Sequence, residues 1–154
     1  MKDENSIIEI AKHTIKMESD AILNLSNLIT TDFAKAVKLI YNSKGRVIIT
    51  GIGKSAIIAS KIVATLNSTG TPAIFMHAAD AIHGDLGNVQ KEDVVICISK
   101  SGNTPEIKVL IPLIKKFGNT IIAITGNVNS YLGTRNNRNF CFGFFISVLK
   151  AYSL

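Results

Sequence analysis

Val94-Val95-Ile96-Cys97-Ile98-Ser99-Lys100-Ser101-Gly102-Asn103-Thr104-Pro105-Glu106 is the stretch on which the fold turns. Its first five residues are apolar and mostly β-branched, as in a strand buried on both faces of a parallel sheet. Beyond it, Ile107, Leu110, Ile111 and Ile114 recur at helical spacing. A strand that ends in hydroxyls and a glycine, then turns into a helix, aims several backbone N–H groups at one point. The first turn of such a helix has unpaired N–H groups and the positive end of the macrodipole, which suits a phosphate or a carboxylate. Ser99, Ser101 and Thr104 add hydroxyl donors, and Gly102 lets the backbone approach a ligand. Pro105 fits the first helical position, where its missing N–H costs nothing. The plainer reading is that Thr104 caps the helix and the serines make a turn. Capping asks for one such residue, whereas three hydroxyls and a glycine crowd six positions here. An anion site is therefore the expectation.

A second strand-to-loop-to-helix unit lies upstream. Arg46 to Thr50 reads as a strand, Gly51-Ile52-Gly53-Lys54-Ser55 as its loop, and Ser55 to Thr69 as the next helix. Gly51 to Ala56 fits a loose dinucleotide fingerprint, a weak signal alone. It does not fit a P-loop, because Ile48 stands where the leading glycine would be. The loop offers a tight turn, a cation at Lys54 and a hydroxyl at Ser55; a solvated surface role for Lys54 is the alternative. Ala73 to Met76 is a short strand, followed by His77, Asp80, His83, Gly84 and Asp85. His77 and His83 are six residues apart, which is not the spacing of a zinc-binding helix, so no metal is expected. A short helix over 78–83 would place His83 and Asp85 at the rim of the same mouth, or leave His83 merely closing that helix. Thr120 to Thr125 is a further strand, and Gly126-Asn127 opens another loop.

Ahead of the first strand, Ser6 to Ile29 reads as one long helix or two abutting ones, with an apolar stripe suited to covering a neighbour or a subunit interface. Thr31 or Asp32 then caps a helix with Phe33, Ala36, Val37 and Ile40 inward. The 154 residues, 47% hydrophobic and 18% charged, indicate one globular domain with a substantial core. Of the net charge of +6, Arg135, Arg138 and Lys150 supply +3 in the last 22 residues, and the rest is dispersed. That distribution gives no basic stripe and argues against nucleic acid as a partner. Cys97 and Cys141 are too few for a metal knuckle or a disulfide framework, which fits a reducing cytoplasm. No signal-peptide core or membrane-spanning apolar run is present.

Strands alternating with helices give an α/β fold: a doubly wound, Rossmann-like parallel sheet of four to five strands. Ligands in such sheets bind outside the carboxyl ends of the strands, where the strand order reverses. The loops after Thr50, Met76 and Ile98 all fall at those ends. They imply a small phosphorylated ligand held by Ser55, Ser99, Ser101 and Thr104, with Lys54, His83 and Glu106 available for chemistry.

The same residues carry a resemblance. Gly51-x-Gly53-Lys54-Ser55, His83-Gly84-Asp85-Leu86-Gly87 and Ser99-x-Ser101-Gly102-Asn103-Thr104-x-Glu106, in that order, resemble the sugar isomerase (SIS) domain of the arabinose 5-phosphate isomerases. The likeness runs from about Ile7 to Leu132, so residues 1–132 are expected to form the sugar-phosphate-binding domain and 133–154 an atypical tail. It implies a five-stranded parallel sheet and cytoplasmic homo-oligomers, usually tetramers, with shared active sites. It also implies conversion of ribulose 5-phosphate to arabinose 5-phosphate, the first step toward the Kdo sugar of lipopolysaccharide or capsule. By position, Lys54, His83 and Glu106 match active-site residues. Ser55, Ser99, Ser101, Gly102, Asn103 and Thr104 match the phosphate cradle, with Gly51, Gly53 and Asp85 as further substrate contacts.

Aldose–ketose isomerisation moves a proton between adjacent carbons through an enediolate, and needs a base and a positive group near the oxygen that gains charge. Glu106 is the expected base, Lys54 the electrostatic partner, and His83 assists at oxygen or in positioning; no cofactor is required. A first-turn acid stabilising the helix dipole is the other reading of Glu106.

Family members continue with a fifth strand, a segment holding a glutamate, a cysteine and Leu-Ala-Pro-Thr, and two helices, one with an active-site histidine. Many add paired CBS modules. Here Gly133 to Ile146 is rich in Asn, Arg and Phe. It reads as a frameshift or an early end, or as a divergent strand from Phe140 to Val148. Either way the later family residues are missing, so an inactive chain is one expectation, and the Phe-rich tail favours aggregation. Two other classes compete with the isomerase. One is a non-catalytic sugar-phosphate or sugar-nucleotide binding module, its regulator form disfavoured because no helix-turn-helix segment precedes the domain. The other is a dinucleotide oxidoreductase, which would want an acid closing the second strand where Met76-His77 stands.

Overall fold

The computed structural model describes residues 3–135 and 141–142. Among these, five strands form one parallel sheet: β1 (Val47–Gly51), β2 (Ala73–His77), β3 (Val94–Ser99), β4 (Thr120–Thr125) and β5 (Cys141–Phe142). Their order across the sheet is β2-β1-β3-β4-β5. Val47 is in register with both Ala73 and Val94, and Val94 in turn with Thr120. β1 and β3 have a strand on either side and are buried along their whole length, which is why both read as unbroken apolar runs.

Alternation of side chains divides each strand between two cores. Val47, Ile49, Ile96, Ile98 and Ile122 pack on one face with Ala36 of α2 (Thr31–Tyr41) and with Ala59 and Val63 of α3 (Lys54–Ser68). Ile48, Val95, Cys97, Ile121 and Ala123 pack on the other face. There they meet Ala78 and Ala81 of α4 (Ala78–Ile82), Ile107, Leu110, Ile111 and Ile114 of α5 (Pro105–Lys116), and Leu132 of α6 (Tyr131–Arg135). The sheet is doubly wound, as expected. Burial pushes the Cys97 thiol up to about 12, so Cys97 is a packing residue and not a nucleophile.

The chain steps from β1 outward to β2, then crosses back over β1 to β3 and continues the other way. Strand order therefore reverses between β1 and β3, and the crevice at their carboxyl ends is the switch point.

The helix expected over Ser6 to Ile29 is α1 (Glu4–Leu25), which runs into a 3-10 turn, Ser26–Leu28. None of its residues is buried; Ile7, Ile8, Ile10, Ile15, Ile22 and Leu23 are exposed. In α2 the cap is Thr30, whose hydroxyl accepts the Asp32 N–H at 3.3 Å, in place of the expected Thr31 or Asp32. The inward face also differs. Ala36, Leu39 and Ile40 meet the core, while Phe33 and Val37 stay 38% and 49% exposed. Small Ala36 is the buried residue of this helix, and the Phe33–Val37 ridge is left exposed.

Of the strand expected over 140–148, Cys141 and Phe142 pair in parallel with Ala123 and Ile124; the remainder lies outside the described residues. No described helix is long and apolar enough to cross a membrane.

Candidate functional site

At the carboxyl end of β3 the loop expected to hold an anion is tied into a fixed shape. The Gly102 N–H donates to Ser99 Oγ (3.1 Å) and the Asn103 N–H to Ser101 Oγ (3.2 Å). A hydroxyl that accepts in this way keeps its own proton to donate elsewhere. Thr104 occupies the N-cap position of α5, with Pro105 next, yet its side chain makes no capping bond. Its Oγ1 is buried and has no hydrogen-bond partner among the described residues. The capping reading of Thr104 therefore fails, and its hydroxyl is an unused group at the N-terminus of a twelve-residue helix.

Gly102 is also required by its own packing. It has φ +65°, and a Cβ there would collide with the Ser130 side chain and lie 2.9 Å from Thr125 Oγ1. A close approach that requires glycine here is to the segment after β4. Asn103 is similarly committed: its Oδ1 accepts the Tyr131 N–H at 2.9 Å. The Gly126 N–H donates to the Lys100 carbonyl (3.0 Å) and the Leu132 N–H to that of Gly102 (2.9 Å). The loops after β3 and β4 are thus stitched into one wall.

The opposite wall comes from β1. Gly51 is buried, with the Ser55 and Ile98 carbonyls at 3.0 and 3.1 Å from where its Cβ would be. Gly53, the N-cap of α3, has φ 56° and ψ −129°, a conformation that L side chains rarely adopt. This turn delivers Ser55 into the first turn of α3, buried, with its N–H donating to the Ile52 carbonyl at 3.2 Å.

Between the walls lies a cavity of about 430 Å³, lined by Ile52, Ser55, Ser99, Lys100, Ser101, Thr104, Gly126 and Asn127. Its size falls within the roughly 300–1,000 Å³ common for small-molecule sites. Four of the expected cradle residues, Ser55, Ser99, Ser101 and Thr104, meet there. Lys54 is exposed in the first turn of α3, and Glu106 is half-buried in the first turn of α5; neither lines the cavity. His83 and Asp85 are both exposed on the segment after α4, where the His83 N–H donates to the Asp80 carbonyl at 2.9 Å. They do not line it either, because β2 is an edge strand, one place removed from the switch point. The third loop at the cavity is the one after β4, in place of the expected one after β2. Ile52, Lys100, Gly126 and Asn127 are the lining residues that sequence reading did not assign. The signal for the latter pair is a glycine and an amide directly after a buried strand.

Comparison with known proteins places this geometry. The SIS domain family model matches residues 39–142. The chain belongs to the SIS domain family. This SIS domain is 48% identical over 132 residues to arabinose 5-phosphate isomerase KdsD of Pseudomonas aeruginosa, covering 86% of this chain and 40% of that protein. It is 48% identical over 125 residues to the probable arabinose 5-phosphate isomerase of Haemophilus influenzae, covering 81% and 37%. The chain thus spans about two fifths of the length of these curated relatives. Among solved structures it is similar to an Escherichia coli CFT073 protein in complex with arabinose 5-phosphate, with TM-score 0.86 and 38% identity. That match covers 93% of this chain and 75% of the other.

Proposed function

We propose that this SIS domain binds a pentose phosphate through its phosphate group and serves an arabinose 5-phosphate isomerase, interconverting ribulose 5-phosphate and arabinose 5-phosphate on the way to Kdo. The observation that carries this reading is the hydroxyl-lined cavity at the switch point, with the buried, unpartnered Thr104 hydroxyl at the N-terminus of α5. Likeness to the isomerases of P. aeruginosa and H. influenzae supplies the substrate class.

In ribulose 5-phosphate the phosphate sits at the far end of the carbon chain from the two carbons that react. A cavity that grips the phosphate therefore leaves the reacting carbons outside it, among groups that flank the mouth. This supports a division of the site in which Lys54 and Glu106, each in the first turn of a helix adjoining the cavity, act on the other end of the sugar. Glu106 takes the proton from the hydroxymethyl carbon of the ketose, and the electrons form the enediolate. The same carboxyl then delivers the proton to the neighbouring carbon, while a proton moves from one oxygen to the other. Lys54 stabilises the charged oxygen, and His83 assists proton movement between oxygens or positions the sugar. Asp85, Gly51 and Gly53 remain proposed substrate contacts.

A homo-oligomer is part of the proposal. A 22-residue helix with no buried residue and six exposed large aliphatics supports burial of α1 against a second copy. The working compartment is the cytoplasm, where a charged substrate that does not cross membranes is available. A binding module without turnover is the second reading, favoured by the absence of Lys54, His83 and Glu106 from the cavity wall.

Turnover of ribulose 5-phosphate, read beside thermal shift with arabinose 5-phosphate on the same purified chain, tests both. Turnover with a positive shift is the expected result. A shift without turnover supports the binding module; a folded chain giving neither signal overturns the phosphate cavity.

A further inference from the structure

Every cavity-lining hydroxyl is neutral, yet a phosphate monoester carries a charge of about −1.5 to −2 at neutral pH. Hydroxyls and the helix N-terminus answer that charge with dipoles alone. Among the described residues the cavity wall contains one cation, Lys100, and no acid. Lys12, Lys16, Lys35 and Arg46 each pair with a carboxylate, whereas Lys100 makes no ion pair among the described residues. Its backbone is fixed: the carbonyl accepts from the Gly126 N–H (3.0 Å) and from Thr125 Oγ1 (3.5 Å). Its side chain is exposed at the mouth, where the long stem lets an ammonium swing over a bound anion.

We propose that Lys100 is a phosphate-binding residue of this site, supplying the net positive charge that the hydroxyl cradle lacks. The proposal rests on the phosphate-cavity reading above and names the group that sets its charge selectivity. Ser99, Ser101 and Thr104 fix where the phosphate oxygens sit; Lys100 favours a dianion over a monoanion or a neutral sugar. An ammonium acts as a point charge and needs no fixed geometry, which suits an exposed position beside a rigid loop.

Titration calorimetry with inorganic phosphate and with arabinose 5-phosphate tests this on the purified chain and on Lys100→Met, Lys100→Gln and Lys100→Arg. Among the described residues the hydrogen bonds of Lys100 are made by its backbone, so the variants should melt with the wild type, and two neutral variants guard against one that misfolds. At roughly 0.01 M ionic strength both neutral variants should bind each ligand about three- to tenfold more weakly, and Lys100→Arg should retain affinity. Near 0.15 M that gap should narrow, as screening of an exposed charge requires. Equal affinity of the wild type and both neutral variants for both ligands overturns the role of Lys100 and leaves the cavity reading intact. A folded wild type that binds neither ligand overturns the cavity reading, and this inference with it.

Discussion

At the amino-terminal end of the sheet, the fully buried carboxylate of Asp93 accepts from the Arg46 N–H (2.8 Å), Nε (3.3 Å) and Nη2 (2.8 Å), and from the Gln90 N–H (2.8 Å). Arg46 Nη2 also donates to the Asn88 carbonyl (2.7 Å), and Asn119 Nδ2 to the carbonyls of Gln90 (2.7 Å) and Asp93 (2.9 Å). At the carboxyl-terminal end of the same strands, Thr50 and Thr104 keep buried hydroxyls without partners among the described residues. One end uses its polar groups to hold β1, β3 and the approach to β4 together. The other leaves them unpartnered, Thr104 on the wall of the cavity and Thr50 beneath it in β1. A buried hydroxyl left unsatisfied costs about 1–3 kcal/mol, so the site end is less stable than its sequence would allow. Stability and binding are separated along the strand direction.

The largest effect should come from breaking the clamp. Asp93→Ala removes the carboxylate that faces Arg46 and strips acceptors from two backbone N–H groups. Removing one partner of a buried pair costs about 3–5 kcal/mol, a fall of roughly 6–20 °C in Tm for a domain of this size. Phosphate affinity of the folded fraction should be unchanged. A variant that melts with the wild type would abolish the comparison.

Acid should loosen the same end. Burial pushes the Asp93 carboxyl up, but its hydrogen bonds to Arg46 and to the backbone of Gln90 and Arg46 outweigh that, and it titrates below its ordinary value of 3.8. A depressed carboxyl contributes stability that is present above the unfolded value and lost as pH falls through the folded one. Thermal melts should therefore hold steady above about pH 5 with respect to this group and drop below about pH 4. In Asp93→Asn that part of the acid dependence should disappear; an unchanged profile would assign it to other carboxylates.

How much of this was legible in the sequence follows from the range of the interactions. β1, β3 and β4 show in the chain because burial on both faces leaves an apolar run with no alternation to misread. The hydroxyl cradle shows because its members are neighbours, from Ser99 to Thr104. Arg46 and Asp93 do not show: they are 47 residues apart, and only the parallel register of β1 with β3 brings them together. The cavity wall from Gly126 and Asn127 was hidden for the same reason, since sheet order decides which loops meet. The inward face of α2 failed differently. Phe33 and Val37 make a good apolar stripe, but a stripe does not say which surface covers it.

Two hydroxyl removals sharpen the contrast at the site end. Thr104→Val keeps the shape and deletes an unpartnered group, so stability should rise by about 1 kcal/mol. Phosphate affinity should fall about tenfold or more, as expected for a hydrogen bond to a charged group. A gain in melting temperature with a loss of binding in one variant is the signature of a group kept for a ligand.

The smallest effect separates a ligand group from a merely orphaned one. Thr50 lies one strand position before Gly51, fully buried and with no partner for its Oγ1 among the described residues, but it does not line the cavity. In Thr50→Val the melting temperature should rise by roughly 2–4 °C, with inorganic phosphate and arabinose 5-phosphate bound as before. If affinity falls as it does for Thr104→Val, the Thr50 hydroxyl reaches the ligand and the site extends down the β1 strand into the sheet. If stability falls instead, Thr50 has a partner in solution, and the carboxyl end of the sheet is better satisfied than the contrast with Asp93 requires.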